Sequence, residues 1–546
     1  MLEQNVALNI ENIGQDYAYE RGPDQPAPED LTVGEVLRRS AASAPHRLAI
    51  VEGIAHPDRR RWTYTELLEQ AEACARALLR RYSPGDHIAI WAPNIPEYTI
   101  FQCGAALAGM VMVTVNPTFR EAELEFCLRQ SRAVACFVHP EFRGSPMLEI
   151  AGQAVGKLDR PVDITSFGEW NAFLASGDQS TELPEVDPVS PAQIQYTSGT
   201  TGRPKGAMLT HRGVVNDGYQ AALRAGGQPG AVWLAVLPMF HVGGCVYAGM
   251  GTLGLAGTLV PLINFEARAA LRLIEEERVT IMNPVPTMIL ALMRDSAFET
   301  ADLSSLKSIS SGGAPVPAEM VRQIESKLGV DFTIVFGQTE ASGVITMTTT
   351  DDSAEDKAQS CGRPLPGIEI KIADPVDGSI CRRGAVGELL TRGYHTMVGY
   401  YDNPEGTSAA FSEGGWMNTQ DLCSMDERGY IRVEGRAKDM IIRGGENIFP
   451  REIEDELFKH DAVADVAVVG VPDEYYGEVA AAFVKLAPGA NTSADELDTF
   501  LRTRLTGYKI PAKWYLAPEF PQTLSGKIQK FAIRDAWSAG KYQELD

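Results

Sequence analysis

From Leu31 onward the apolar residues fall into two alternating rhythms. Leu67, Leu68, Ala71, Cys74, Leu78 and Leu79 recur at helical spacing, which predicts an amphipathic helix over residues 64–82. Short unbroken apolar runs lie on either side of it, at Ala49-Ile50-Val51 and at residues 87–91, the second entered through a Pro84-Gly85-Asp86 turn. The alternation continues with helices over residues 33–43, 95–110 and 121–131 and strands over 111–115 and 133–138. Strand, helix and strand in repeated order predict an α/β fold with a mostly parallel sheet covered by helices on both faces. The pattern returns over residues 213–335.

After Gly362 the rhythm shortens. Residues 386–390 and 429–433 read as short strands between Gly and Asp turns, which predicts a small β-rich subdomain over about 362–437. Residues 438–546 read as a separate α+β module. It has a helix over 450–459, strands over 463–471 and 480–486, and a helix over 493–505 that Ser493 caps with Glu496 three residues on. The expected architecture is a large N-terminal domain over 1–437 and a small C-terminal domain over 438–546. Two stretches read as exceptions to the helix–strand text. Residues 165–191 read as a surface excursion, and the uncharged, glycine-dense run 247–263 as buried strand and turn.

Composition narrows the function. A chain of 546 residues calls for several domains, and its 44% apolar content is ordinary for a soluble globular protein. The net charge of −23 argues against generic nucleic-acid binding. It also means that a polyanionic ligand must be held by local cations such as Lys205, Arg436 and Lys527. The eight cysteines are scattered, without CxxC pairs or metal-ligand spacing, and mostly sit in apolar runs, as free thiols in a reducing compartment do. The first residues lack a basic-then-apolar signal pattern, and no run is long enough for a membrane span, so a cytoplasmic location is expected.

The chemistry concentrates in Tyr196-Thr197-Ser198-Gly199-Thr200-Thr201-Gly202-Arg203-Pro204-Lys205-Gly206. Small residues let backbone N–H groups close on phosphate oxygens, four hydroxyls add donors, and Lys205 adds a point charge. The spacing is not that of a Walker loop. The segment resembles the signature loop of the adenylate-forming superfamily, which includes acyl-CoA synthetases, peptide-synthetase adenylation domains and luciferases. The resemblance runs from about Leu31 to Gln529.

That resemblance implies a role for each motif. Thr197, Ser198, Gly199, Thr200, Thr201, Gly202 and Lys205 would hold the ATP phosphates. In Phe336-Gly337-Gln338-Thr339-Glu340, Phe336 would stack on adenine where the family more often has Tyr. Thr339 would bond the α-phosphate, and Glu340, with Thr197, would carry Mg²⁺. Gly312, Gly313, Ala314 and Pro315 would lie along the adenine and the floor of the acyl pocket. His241, Gly243, Gly244 and Tyr247 would border that pocket, the glycines leaving room for an acyl chain. Asp421, within Thr419-Gln420-Asp421 where the family has Thr-Gly-Asp, and Arg436 would hold the ribose. Lys438 would be the hinge, Gly444 and Gly445 would flank the coenzyme A channel, and Lys527 would be the catalytic lysine of the tail.

The implied reaction has two halves. A carboxylate attacks the α-phosphorus of ATP to give an acyl-adenylate and pyrophosphate; the coenzyme A thiol then takes the acyl group and AMP leaves. The partners are thus a small carboxylic acid, ATP with Mg²⁺, and coenzyme A, with no nucleic acid; a homodimer is compatible with the sequence. The Arg443 to Pro450 wording is similar to medium-chain fatty acyl-CoA synthetases, with aryl or alicyclic ligases the alternative. Amino-acid adenylators usually have Asp where this chain has His241, which favours an acid:CoA ligase over a peptide-synthetase domain. A reading from another class, an inactive nucleotide- or lipid-binding scaffold, is opposed by the joint presence of Glu340, Asp421, Arg436 and Lys527.

Overall fold

The computed structural model describes residues 16–54, 56–197, 204–313, 316–444, 446–522 and 528–545. It divides into two compact units. The larger comprises Glu20–Ile370 and Thr391–Asn418, and the smaller Met1–Tyr19, Lys371–Leu390 and Thr419–Asp546.

Two sheets build the larger unit. In the first, Val111–Val115, His87–Trp91, Ala135–Val138 and Asp163–Ser166 run parallel, as the repeated strand–helix–strand text predicts. On its other side Pro191–Thr197 joins in parallel, then Lys205–Thr210 and Gly399–Tyr400 add antiparallel strands. Trp91, Val113, Cys136 and Ile194 are buried in one core with Leu124 and Leu128 of the helix Glu121–Gln130. The amphipathic helix of residues 64–82 forms over Tyr64–Leu79, with a Thr63–Glu66 capping box at its start. The second sheet carries nine strands among the described residues. At its centre Val232–Ala235, Ile281–Met282, Ser308–Gly312 and Asp331–Phe336 run parallel. Their chain ends therefore lie along one edge, the usual ligand side of a parallel sheet.

The uncharged run folds differently from expectation, and so does the start of the excursion, while residues 176–190 form no helix or strand and are exposed or half-buried. Instead of strand and turn, the uncharged run opens as a π-helix, Gly243–Met250, continues as Gly251–Gly254, and turns to strand only at Thr258–Pro261. Its glycines serve helix contact. A Cβ on Gly218 of the helix His211–Arg224 would stand 2.5 Å from the Val246 carbonyl oxygen, and one on Gly251 would stand 2.9 Å from that of Gly218. Such close approach leaves no room for side chains. The surface excursion begins with a strand ending at Ser166 and a helix, Trp170–Ala175, whose Trp170 and Phe173 are buried against Phe137 and Phe167. Aromatic burial outweighs the polar composition there.

In the smaller unit, Val463–Asp473 and Gly477–Leu486 form a long antiparallel hairpin. Its residues alternate between two cores: Val466, Val468, Ala480, Ala482 and Val484 face one, and Ala467, Val469, Ala481 and Phe483 the other. Ile453 and Leu457 from the helix Pro450–Leu457 and Leu497 and Leu501 from Ala494–Arg502 complete the first core; Ile533 from Lys530–Ser538 joins the second. Coverage on both faces explains why the strands read as continuous apolar runs. The β-rich stretch after Gly362 contains the strands Ile368–Ala373, Gly387–Gly393 and Trp416–Met425.

Candidate active site

The lysine turn sits at the open end of an antiparallel pair. Thr197 closes the strand Pro191–Thr197 and Lys205 opens the next, the two in register, with the Thr197 hydroxyl 3.5 Å from the Lys205 carbonyl. Ser198, Gly199, Thr200, Thr201 and Gly202 lie outside the described residues. The neighbouring strand places Tyr400 opposite Ala207, and there the Lys205 Nζ stands over the Tyr400 ring, 4.9 Å from its centroid. That is cation–π distance.

The second cluster comes directly after the strand Asp331–Phe336. A Cβ at Gly337 would lie 2.0 Å from the Gly343 carbonyl oxygen, so only glycine lets the chain double back here. Between them Thr339–Ala341 forms a 3₁₀ turn carrying Thr339 and Glu340 at the half-buried surface. Three bonds fix this turn from outside. The Met397 N–H donates to the Glu340 carbonyl at 2.8 Å, the Ser342 hydroxyl to the His395 carbonyl at 2.7 Å, and the Val344 N–H to both Asp217 oxygens at 3.1 and 3.2 Å. A fourth reaches the carboxylate itself, where the Tyr400 hydroxyl donates to Glu340 Oε1 at 2.8 Å. Tyr400 is 8% exposed, and burial, with Glu340's charge behind it, pushes its phenol above the ordinary range. Burial likewise raises Asp217 well above the usual carboxylate range, against the pull of the Val344 N–H.

Of the remaining candidates of the larger unit, Gly312 and Phe336 end neighbouring strands, while Gly243, Gly244 and Tyr247 lie on the π-helix Gly243–Met250. Gly312 is in parallel register with Val335, which sets the Gly312-Gly313 turn beside Phe336. Gly313 has φ +79°, while Ala314 and Pro315 lie outside the described residues. His241 Nδ1 accepts from the Gly243 N–H at 3.1 Å, so the neutral ring carries its proton on Nε2. Tyr247 is buried and donates to the Ser310 hydroxyl at 2.7 Å. The backbone is closely approached at three of the candidate pocket glycines. A Cβ would stand 2.3 Å from the Pro238 oxygen at Gly244 and 2.5 Å from the Val335 oxygen at Gly312, and at Gly243 it would stand 2.8 Å from Leu237.

In the smaller unit Asp421 pairs in register with Arg436, whose Nε donates to Asp421 Oδ1 at 3.1 Å. Asp421 is buried and Arg436 exposed. Gln420, where the resemblance has glycine, takes the left-handed φ of +61°, and its N–H donates to Glu388 at 3.0 Å. Lys438 is exposed in a 3₁₀ turn, Ala437–Asp439. Gly444, at φ +58°, turns the hairpin between Ile441–Arg443 and Glu446–Ile448, and its N–H donates to the Tyr476 carbonyl at 2.9 Å. Gly445 and Lys527 lie outside the described residues.

Sequence reasoning misses Tyr400 and Asp217. No local motif marks either one, since Tyr400 meets Lys205 and Glu340 only through strand pairing. Among the described residues no three His, Cys, Asp or Glu side chains converge as a metal cluster. Glu340 nevertheless suits Mg²⁺, which takes one or two carboxylates and fills its other positions with phosphate and water. No helix of the described residues is long and apolar enough to cross a membrane.

The profile of the AMP-binding enzyme family matches residues 37–401, and that of the AMP-binding enzyme C-terminal domain matches residues 452–527. The chain belongs to the AMP-binding enzyme family. Within it, this is an AMP-forming acid–thiol ligase of the acyl-CoA synthetase kind. The putative acyl-CoA synthetase YngI of Bacillus subtilis (strain 168) is 38% identical over 534 residues, covering 92% of this chain and 96% of its own. The medium-chain acyl-CoA ligase ACSF2, mitochondrial, of Homo sapiens is 33% identical over 543 residues, 92% of this chain and 87% of its own. The crystal structure of ATP-bound MatB from Rhodopseudomonas palustris superposes with a TM-score of 0.84 at 27% identity, over 94% of this chain and all of that one. As an AMP-binding family enzyme the chain uses ATP and coenzyme A.

Proposed function

We propose that this ligase activates a medium-chain fatty acid with Mg·ATP and passes the acyl group to coenzyme A. The observation that supports the nucleotide chemistry is the convergence of Lys205 and Glu340 on Tyr400, which brings a cation and a Mg²⁺-competent carboxylate from two distant motifs to one ring. The similarity to ACSF2 along nearly the whole chain supports the substrate class.

In the first half-reaction the acid's carboxylate oxygen bonds to the α-phosphorus and pyrophosphate departs. Positioning and charge neutralisation do most of the work. Thr197, Lys205, the hydroxyl loop between them and Lys527 hold phosphate oxygens, and Thr339 bonds the α-phosphate. Glu340 and Thr197 are the residues that would hold Mg²⁺, which supplies charge neutralisation when bound. His241, through Nε2–H, orients the carboxylate, Phe336 stacks on adenine beside Gly313, and Asp421 with Arg436 takes the ribose. In the second half-reaction rotation about Lys438 withdraws Lys527 and brings Gly444 and Gly445 to the thiol, which attacks the acyl carbonyl and expels AMP. One fold thus serves two site geometries in turn.

An aryl acid is the second reading. It is favoured by the likeness, TM-score 0.81 at 27% identity, to o-succinylbenzoate CoA synthetase (MenE) from Bacillus subtilis in complex with its acyl-adenylate. A panel of straight-chain acids from four to sixteen carbons, with benzoate and cyclohexane-carboxylate analogues, tests both by acid- and CoA-dependent AMP release. A kcat/KM maximum near eight to ten carbons is expected; a maximum on an aryl acid would replace the fatty-acid assignment.

A further inference from the structure

Tyr400 belongs to none of the motifs that carry the proposed chemistry, yet it touches two of them. Its face receives the Lys205 ammonium and its hydroxyl donates to Glu340 Oε1. The ring is closely held. Tyr400 pairs with Ala207 on the strand that Lys205 begins, and its N–H donates to the Thr407 hydroxyl at 2.9 Å. The flanking Val398 and Tyr401 N–H groups donate to Met208 and Gly206 carbonyls at 2.9 and 2.8 Å, and Gln130 bonds the Tyr401 carbonyl at 2.6 Å. With 8% of its surface exposed, the phenol has little water to exchange for Glu340.

We propose that Tyr400 is a positioning residue for nucleotide activation: its hydroxyl presets the Glu340 carboxylate for Mg²⁺ while its ring face holds Lys205 poised for phosphate. The assignment rests on the roles proposed for Glu340 and Lys205. A phenol has one proton to give. Bonded to Oε1, it fixes the carboxylate plane and leaves Oε2 outside this bond, available to a hard cation. The ring meanwhile gives the ammonium a partner that is not anionic. Lys205 and Glu340 are thus held near one another without forming an ion pair that Mg·ATP would first have to break. Preset donors of this kind need no reorganisation during reaction.

Two variants separate the two contacts. Tyr400→Phe keeps the ring over Lys205 and removes only the bond to Glu340; Tyr400→Leu removes both. The readouts are acid-dependent ATP–pyrophosphate exchange titrated with Mg²⁺ at saturating ATP, the KM values for ATP and acid, and the melting temperature. Loss of one hydrogen bond to a charged group predicts that Tyr400→Phe raises the half-saturating Mg²⁺ concentration about tenfold. At saturating Mg²⁺ its kcat should stay within about twofold of wild type, and the KM for the acid should not move. Tyr400→Leu should raise the KM for ATP as well. In a Glu340→Gln background, Tyr400→Phe should add nothing further to the Mg²⁺ requirement. An unchanged Mg²⁺ requirement in Tyr400→Phe, or full additivity with Glu340→Gln, overturns the proposal even if both variants lose thermal stability. If Glu340→Gln itself leaves the Mg²⁺ requirement untouched, the metal role of Glu340 falls and the Tyr400 assignment falls with it. If Glu340→Gln shifts that requirement and Tyr400→Phe does not, only Tyr400 is misassigned. Should Tyr400→Leu fail to fold, Tyr400→Phe, which removes one oxygen, carries the test alone.

Discussion

Glu340 and Lys205 in the larger unit and Lys438 and Gly444 in the smaller are built in opposite ways. Glu340 sits on a turn tied down by Asp217, His395, Met397 and Tyr400, and Lys205 opens a paired strand. In the smaller unit Lys438 is exposed in a short 3₁₀ turn, and Gly444 is exposed in a hairpin turn at positive φ. The contrast suits a division of labour. Charge stabilisation needs groups fixed before reaction, while a step that exchanges one site geometry for another needs backbone able to change φ and ψ.

The largest effect expected from this division comes with Lys527→Ala. Adenylation should fall by roughly 10²–10³-fold, the usual loss for one charge-stabilising donor. Thioester formation from supplied acyl-adenylate should stay near wild type. Single-turnover assays of each half-reaction decide, and equal losses in both would contradict a lysine that serves one half-reaction only.

The rigidity of the larger unit has a pH signature. Burial holds His211 down at about 4 and His395 at about 3, so both rings are neutral in the folded chain. Between the unfolded value of about 6.5 and these values the unfolded chain binds more protons. The contribution of these two rings is therefore complete above pH 6.5 and lost as pH falls toward 4, by up to about 3 kcal/mol for His211. Urea titrations at pH 7 and pH 5 measure the slope. His395→Gln should flatten it, and an unaltered slope in that variant would remove His395 from the account.

A smaller and opposite dissection is expected at the hinge. Lys438→Pro fixes φ near one value, so thioester turnover should drop at least about tenfold while ATP–pyrophosphate exchange persists. Normal thioester turnover in this variant would dismiss the hinge. The smallest effect concerns Gln420, whose left-handed φ of +61° suits glycine. Gln420→Gly should stabilise the chain by roughly 0.5–1 kcal/mol, read as a higher urea midpoint with the KM for ATP unmoved. A lower midpoint would mean that the Gln420 side chain makes a contact worth more than the strain.

Much of the fold is legible in the sequence because its periods are strong. The helix at Tyr64–Leu79, the strands at His87–Trp91 and Val111–Val115, and the Ser493 capping box all arise from residues within a turn or two of each other. The glycine-rich run after Gly243 misleads because glycine carries two meanings. Locally it marks turns, but here it allows two helices to touch, and only the partner helix reveals which. Residues 165–175 mislead in the same way, with Trp170 and Phe173 finding aromatic partners on other elements.

The family, the order of elements and the identity of the groups proposed to meet the nucleotide are all written in the chain, because each lies in a contiguous motif whose chemistry is local. How those groups are held is a property of the folded molecule. Tyr400 reaches Lys205 and Glu340 across 195 and 60 positions of chain, and Asp217 reaches Val344 across 127. Such bonds depend on strand order, register and burial, which the whole chain sets cooperatively and no single segment encodes.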